Sequence, residues 1–179
     1  IDLGPLKPSL GQALQARGKR IDLMPAAIRR ELPQLVAPFT TPLPTGDTGR
    51  PALKLIGRRE VRSNNSWMHN SERLVSGKAR CTLWIHPEDA QRHTLQDGQT
   101  VTVASRTGRI QVPVHVTPDI RSGVVSLPHG WGHDREGVQL QVARAHAGAS
   151  INDLTDDRQT DRICANAAFS AVSVWIEAA

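Results

Sequence analysis

Apolar and polar side chains alternate without a break over residues 109–116. Ile110, Val112, Val114 and Val116 fall on one face, and Arg109, Gln111, Pro113 and His115 on the other. A period of two marks a half-buried strand. Short apolar stretches predict further strands over 53–56, 80–85, 100–104, 123–127 and 171–176. Asp97-Gly98 reads as a turn, and Ser105-Arg106-Thr107-Gly108 as a hairpin turn joining two strands. Residues 87–93 (PEDAQRH) read as a short helix, with proline in the first turn, acids behind it and basic residues last. Six or so short strands, unevenly spaced and interrupted by short helices, predict a barrel-like β domain rather than a doubly wound sheet. Closure removes exposed strand edges. Ligands of such barrels sit at a mouth, on loops that leave strand ends.

The pattern changes near residue 52. Pro5, Pro8, Pro25, Pro33, Pro38, Pro42, Pro44 and Pro51 all precede it. This part carries two short helical stretches, residues 10–16 and 26–35. In the second, Ala27, Ile28, Leu32 and Leu35 form a stripe interrupted by Pro33. Residues 40–51 (TTPLPTGDTGRP) read as a linker. The expected organisation is an arm and linker over 1–51 and a barrel over 52–179, with no internal repeat. The chain starts at Ile1 rather than Met, and the expectation is a piece of something longer.

Bulk properties narrow the partners. The net charge of +5 favours an anionic one. The arginines are spread along the chain and aromatics make up only 3%, which argues against a nucleic-acid surface built on stacking rings. No apolar run of about 18 residues occurs, so no membrane span is expected, and no secretory signal is visible. Cys81 and Cys164 are too few and too far apart for a disulfide framework or a zinc site. Both read as small buried hydrophobes, in keeping with a reducing cytoplasm.

The densest candidate chemistry lies in residues 53–70, LKLIGRREVRSNNSWMHN. A short strand runs into Gly57, Arg58 and Arg59, and a polar loop of Ser63, Asn64, Asn65 and Ser66 follows, closed by Trp67 and His69. Glycine lets a backbone approach a ligand closely. Arginine offers a fixed fork of donors to phosphate, and Asn and Ser can meet both donors and acceptors of a heterocycle. No nucleophile or acid–base pair accompanies them. The loop therefore suits a large, anionic, nitrogen-rich cofactor.

Three stretches in order resemble the C-terminal cofactor-binding domain of the molybdopterin-dependent oxidoreductases, a family that includes formate dehydrogenases, nitrate reductases and dimethyl sulfoxide reductase. They are LIGRREVRSNNSWMHN, the run WIHPEDAQRHTLQDGQTVTVASRTGRIQVPVHVTPDIRSGVVSLPHGWGH over 84–133, and NDLTDDRQTDRICANAAFSAVSVWI over 152–176. The opening residues 1–35, with IDLGPL and then IDLMP, resemble the stretch before this domain in formate dehydrogenase-like members. The resemblance implies a six-stranded double-psi β-barrel that caps bis(molybdopterin guanine dinucleotide). Molybdenum or tungsten is carried by that cofactor, and its protein ligand comes from another domain of the parent enzyme. The 57–66 loop matches the family's longest cofactor contact, with Gly57 and Arg58 at its start and Ser63–Ser66 at its end. Asn152 matches an asparagine that hydrogen-bonds a pterin. Asn166 and Phe169 match a later contact, where some members carry lysine near the position of Phe169. No catalytic residue and no metal ligand is expected in this chain, which should not catalyse alone.

Several residues admit two readings. Arg58 and Arg59 are ligand contacts, with Arg58 ahead, or solvated charges. Asn64 and Asn65 contact a ligand or build a turn. His129-Gly130-Trp131-Gly132-His133 has a metal-like spacing but no nearby acid or cysteine. It reads instead as a mobile loop packed on the cofactor or a partner domain, with His129 and Gly130 touching the pterin. His69 is a polar loop residue, a cofactor contact or part of a substrate funnel. Asp153, Asp156 and Asp157 lack the glycine and distal glutamate of a calcium loop and read as a capped turn. Trp67 and Trp175 read as packing residues rather than stacking platforms, with Trp67 the exception because its loop is otherwise so polar. Two other functions stay open: a protein-interaction adapter barrel, allowed by fold alone, and a basic nucleic-acid-binding barrel.

Overall fold

The computed structural model describes every residue except 1, 3, 17, 47, 48, 50 and 179. The chain forms two compact units, Ile1–Thr41 and Pro42–Ala179. The first holds two helices, α1 (Leu10–Ala16) and α2 (Ala26–Thr40). α1 has the bounds its sequence predicts. α2 runs five residues further than expected, through Pro33 and Pro38 to a last bond from Thr41 N–H to Ala37 O at 2.9 Å. Proline forfeits one backbone bond without forbidding helical φ, so it weakened the sequence pattern more than the helix. Leu32, Leu35 and Val36 are exposed on α2.

The second unit is a closed six-stranded barrel. Its strands are β1 (Leu53–Arg58), β2 (Leu83–Ile85), β3 (Thr100–Ala104), β4 (Arg109–Val116), β5 (Val124–Pro128) and β6 (Val172–Ala178). Around the barrel they run β1-β5-β2-β4-β3-β6. Two neighbouring pairs are parallel, β1 with β5 and β2 with β4, and the other four are antiparallel. This is the mixed, crossed connectivity of a double-psi barrel. β4 alternates exposed and buried over its length, as its period of two requires. The core is filled from every strand, by Leu55, Leu83, Ile85, Val101, Val103, Val112, Val114, Val125, Leu127 and Val174 among others. Ile56, grouped with the apolar strand residues in the sequence, points outward, as its place between Leu55 and Gly57 dictates.

Short helices fill the connections: α3 (Glu72–Val75), α4 (Pro87–Arg92), α5 (Gln141–Ala145) and a 3-10 turn, Ile151–Leu154. α4 follows its sequence signals, with Pro87 in the first turn and the His86 ring accepting from Glu88 N–H. Asp89, expected to serve the helix terminus, does more. It is 1% exposed, and its carboxylate accepts from Arg92, from Ser122 Oγ at 3.0 Å and from Gly123 N–H at 2.6 Å. It thereby ties α4 to the turn that launches β5.

Part of the expected linker joins the barrel unit. Thr45 bridges to Pro51, Ala52 N–H donates to Pro44 O at 2.8 Å, and Gly46 lies against the Trp175 indole. Residues 47, 48 and 50 of that stretch lie outside the described residues. Cys81 is buried as expected, but Cys164 is exposed. It sits not on a core strand but in a turn, where Ile163 and Cys164 N–H groups both donate to Asp161 Oδ1. Among the described residues no helix is long and apolar enough to cross a membrane.

Candidate functional site

Topology brings the candidate residues to one end of the barrel. β1 and β5 are parallel with Arg58 opposite Pro128, so the polar loop leaving β1 and the glycine-rich loop leaving β5 emerge side by side. The ladder continues one step, with His129 N–H donating to Arg58 O at 3.1 Å. β6 is antiparallel to β1, and Val172 faces Leu55. The chain therefore enters β6 from this same end, carrying Asn166 and Phe169 on the approach.

Two close contacts at glycines hold the loops together. A Cβ on Gly57 would overlap the His129 imidazole, and one on Gly130 would overlap the Asn65 carbonyl and the Ser66 amide. Gly130 also has φ +89°, a conformation favourable only without a side chain. Gly57 was expected to admit a ligand to the backbone; the group it admits is the ring of His129. Asn64 and Asn65 take positive φ of 41° and 60°, so they do build a turn, with their side chains exposed.

The two arginines change places relative to expectation. Arg58 commits its guanidinium to the barrel. It donates to Glu60 at 3.1 Å, Ser126 O at 2.9 Å, Thr82 O at 3.0 Å and Arg80 O at 3.2 Å, and it lies 4.2 Å over the Trp84 ring. Burial lowers its pKa. Arg59 is exposed, and its one described partner is Asn65 Oδ1. The outward-facing cation at this end of β1 is Arg59.

Beneath the loop runs a histidine pair that spacing in the sequence did not connect. His69, 1% exposed, places Nδ1 2.8 Å from His133 Nε2. One ring must donate and the other accept, so this line holds a single proton. His69 also packs on Trp131, with centroids 4.0 Å apart. Burial, and then the neighbouring His133, push the His69 pKa down to about 4. His133 and His129 are also lowered, chiefly by burial, with Arg59 adding to the effect at His129. His133, the second histidine of the metal-like spacing, thus has a structural partner. No cluster of three or more metal-ligating side chains occurs among the described residues. Asn70 fixes the far end of the loop, its Oδ1 accepting from Val142 and Ala143 N–H at the start of α5.

Asn152 is exposed on the 3-10 turn. That turn abuts the glycine-rich loop, because a Cβ on Gly132 would overlap Ser150. The acids around Asn152 are engaged by arginines: Asp153 by Arg135, and Asp156 and Asp157 by Arg106. Arg106 holds Asp156 well below the usual carboxylate range. Asn166 and Phe169 lie exposed in a separate excursion bridged at Thr160 and Ala167. Among the described residues no hydrogen bond or ring contact joins them to the other candidates.

The barrel's sequence matches the family model described as "Molydopterin dinucleotide binding domain" over residues 53–173. Dimethyl sulfoxide reductase DmsA of Escherichia coli K12 is 34% identical over 85 residues, 48% of this chain and 10% of that protein. F420-dependent formate dehydrogenase 1 subunit alpha of Methanococcus maripaludis is 43% identical over 60 residues, 34% of this chain and 9% of that protein. The structure of acetylene hydratase from Pelobacter acetylenicus superposes with a TM-score of 0.62 over 96% of this chain and 23% of that one, at 16% identity, a likeness of fold. The chain spans 9–23% of the length of these proteins.

The residues at the mouth fit a molybdopterin guanine dinucleotide. Ser63 Oγ is buried and lacks a hydrogen-bond partner among the described residues, which is costly unless a further group or a small shift satisfies it. Arg59, Asn64, Asn65 and Ser66 form an outward edge of one cation, two amides and a hydroxyl, suited to phosphate oxygens and a pterin rim. Trp67, 82% exposed, offers a ring face beside them. With its mixed six-stranded barrel and a family match that runs from the start of β1 to the start of β6, this chain belongs to the molybdopterin dinucleotide-binding domain family.

Proposed function

We propose that the chain caps bis(molybdopterin guanine dinucleotide) in a molybdenum or tungsten oxidoreductase whose parent enzyme is formate dehydrogenase-like. The observation that carries this reading is the interlock of the β1 and β5 loops through Gly57 with His129 and Gly130 with Asn65. It builds a polar wall from the two loops at one end of the barrel. When bound, the metal held by the pterin dithiolenes supplies two-electron redox chemistry.

The chain's own residues bind and orient. Arg59 faces anionic oxygens, and Asn64, Asn65 and Ser66 meet the heterocycle's rim. Trp67 covers a ring face, and the backbone at Gly57 and Gly130 shapes the floor with His129. Arg58 works from behind, holding the end of β1 against β5 and the segment leading into β2. Ser63 and Asn152 supply further polar contacts, and Asn166 and Phe169 close over the cofactor from the approach to β6. Residues 52–179 are the binding domain and 1–51 a segment of the preceding part of the parent. The remaining domains of that enzyme are the partner and provide the metal's protein ligand. The lead-in IDLMP and the 43% identity to a formate dehydrogenase subunit favour that branch. Two free thiols, one of them exposed, suit a cytoplasmic location.

Amide shifts of the 179-residue chain, titrated separately with the pterin dinucleotide and with an oligonucleotide, test the assignment. Perturbations confined to residues 57–69, 129–133, 152 and 166–169 with the pterin compound are expected. A salt-sensitive response to the oligonucleotide, with none to the pterin compound, would instead establish the nucleic-acid reading.

A further inference from the structure

His69 belongs to the polar loop that leaves β1, yet its ring is committed to the glycine-rich loop that leaves β5. It is 1% exposed. Its Nδ1 meets His133 Nε2 at 2.8 Å, its ring centroid lies 4.0 Å from that of Trp131, and the Gly130 backbone borders it. The glycine-rich loop has one further tie, to Ala147 O, which accepts from Gly132 N–H at 2.7 Å and from His133 N–H at 3.2 Å. A single side chain of one loop thus holds Gly130, Trp131 and His133 of the other.

This enclosure has no place for a charge. His69 forms no ion pair with a carboxylate among the described residues. Burial opposes its protonation first, and His133 from the glycine-rich loop adds to that. The Gly130 backbone offsets part of the effect, and Arg80, from the segment before β2, opposes protonation again. Asp134 acts on His133, and Arg59 on His129. While neutral, the two rings share one proton between Nδ1 and Nε2. A further proton places a cation where water cannot reach it, and one more sets two N–H groups face to face. Trp131 and His133 cover the ring, so relief in water requires residues 130–133 to move off it.

We propose that His69 is a positioning residue that pins the glycine-rich loop while neutral and releases it on protonation. The mouth of the barrel is then assembled at neutral pH and loosened in acid. The pin deepens the reading given under Proposed function. Its consequence for a bound dinucleotide, weaker retention in acid, rests on that reading, and the pin itself does not.

Native-state hydrogen exchange of the 179-residue chain reads the pin at the Gly132 and His133 amides, whose bonds to Ala147 O break when the loop lifts. Corrected for the chemical exchange rate, their opening constants should rise by about tenfold per pH unit from 6.5 towards 4, one proton being taken up per opening. Low urea should leave these openings unchanged and should promote those of β4, which need the whole barrel to unfold. His69→Gln should remove most of the pH slope. His133→Gln, whose amide can still donate to His69 Nδ1, should keep it. In the parent chain the His69 ring resonances and the amide shifts of 130–133 should titrate together, a check that needs no variant. Opening constants flat with pH, a slope undiminished in His69→Gln, or loop shifts that follow a different histidine overturn the proposal. Affinity for the pterin dinucleotide should fall between pH 7.5 and pH 5.5 in the parent chain, and by less in His69→Gln. Binding that ignores pH overturns the claim about retention. No binding at either pH overturns the capping role alone, because the amides are read without ligand.

Discussion

His69 is the residue whose environment departs furthest from what its neighbours in sequence suggest. It is enclosed by Trp131 and by His133, whose Nε2 meets its Nδ1 at 2.8 Å, and Arg80 contributes a further unfavourable charge to its protonated form. Its pKa of about 4 in the folded chain lies below the ordinary 6.5. Between those values the unfolded chain takes up a proton that the folded chain declines. Stability is thus fully present above about pH 6.5, falls as the pH drops towards 4, and levels off below. His129 and His133 are lowered as well and act in the same direction. From pH 7.5 to pH 5 the loss from His69 is on the order of 2 kcal/mol. Urea midpoints at the two pH values measure it, and in His69→Gln the difference should shrink by most of that amount. An equal difference in both chains would assign the effect elsewhere. The arginine pair carries a related lesson. Two adjacent cations look alike in sequence, but Arg58, on the outer face of β1 with Ile56, folds back over Trp84, and Arg59, just past the strand, faces solvent.

At the scale of elements, the short helix α4 shows how a local signal and a tertiary role coincide. Its proline, acids and terminal arginine are enough to place it between β2 and β3. They do not reveal that Asp89 is buried with acceptors aimed at Ser122 and Gly123, more than thirty residues ahead. Asp89→Ala leaves the Gly123 N–H, the Ser122 hydroxyl and Arg92 without their acceptor, and the expected loss is about 3 kcal/mol. Asp89→Asn keeps one acceptor oxygen and should lose less. Chemical denaturation of the two variants ranks them, and equal, negligible losses would show that water replaces the carboxylate. α2 makes the converse point. Its apolar stripe located the helix, while Pro33 misled the boundary because the cost of a missing N–H is finite and the helix carries on past it.

For the molecule as a whole, closure decides which parts are secure. The six strands share one core, and each has a neighbour on both sides. The excursion over 156–169 is exposed and held by local turns and the Arg106 ion pairs. Native-state hydrogen exchange should find the amides of β1, β4 and β5 opening only with global unfolding. Residues 156–169 should open first, and the polar loop should fall between, because His69 and Ser63 anchor it inside. Protection of 156–169 equal to that of the strands would mean that the excursion is part of the cooperative core. This gradient suits the proposed role, in which a built-in wall of the β1 and β5 loops would be joined by a more adaptable β6 approach.

The sequence by itself determined the faces of the strands, the position of α1 and α4, and the family, because period-two alternation, helix-end chemistry and ordered motifs are all local. It also marked the 57–67 loop as the polar, cationic stretch. Only the tertiary structure decided that His129 fills the space above Gly57, that Arg58 serves the barrel while Arg59 faces outward, and that His69 meets His133. Those outcomes depend on β1 lying parallel to β5 with Arg58 opposite Pro128, a pairing of segments seventy residues apart. Side-chain periodicity says which way a residue points within its own strand. Which strand lies beside it is set by closure and register, and these belong to the barrel as a whole.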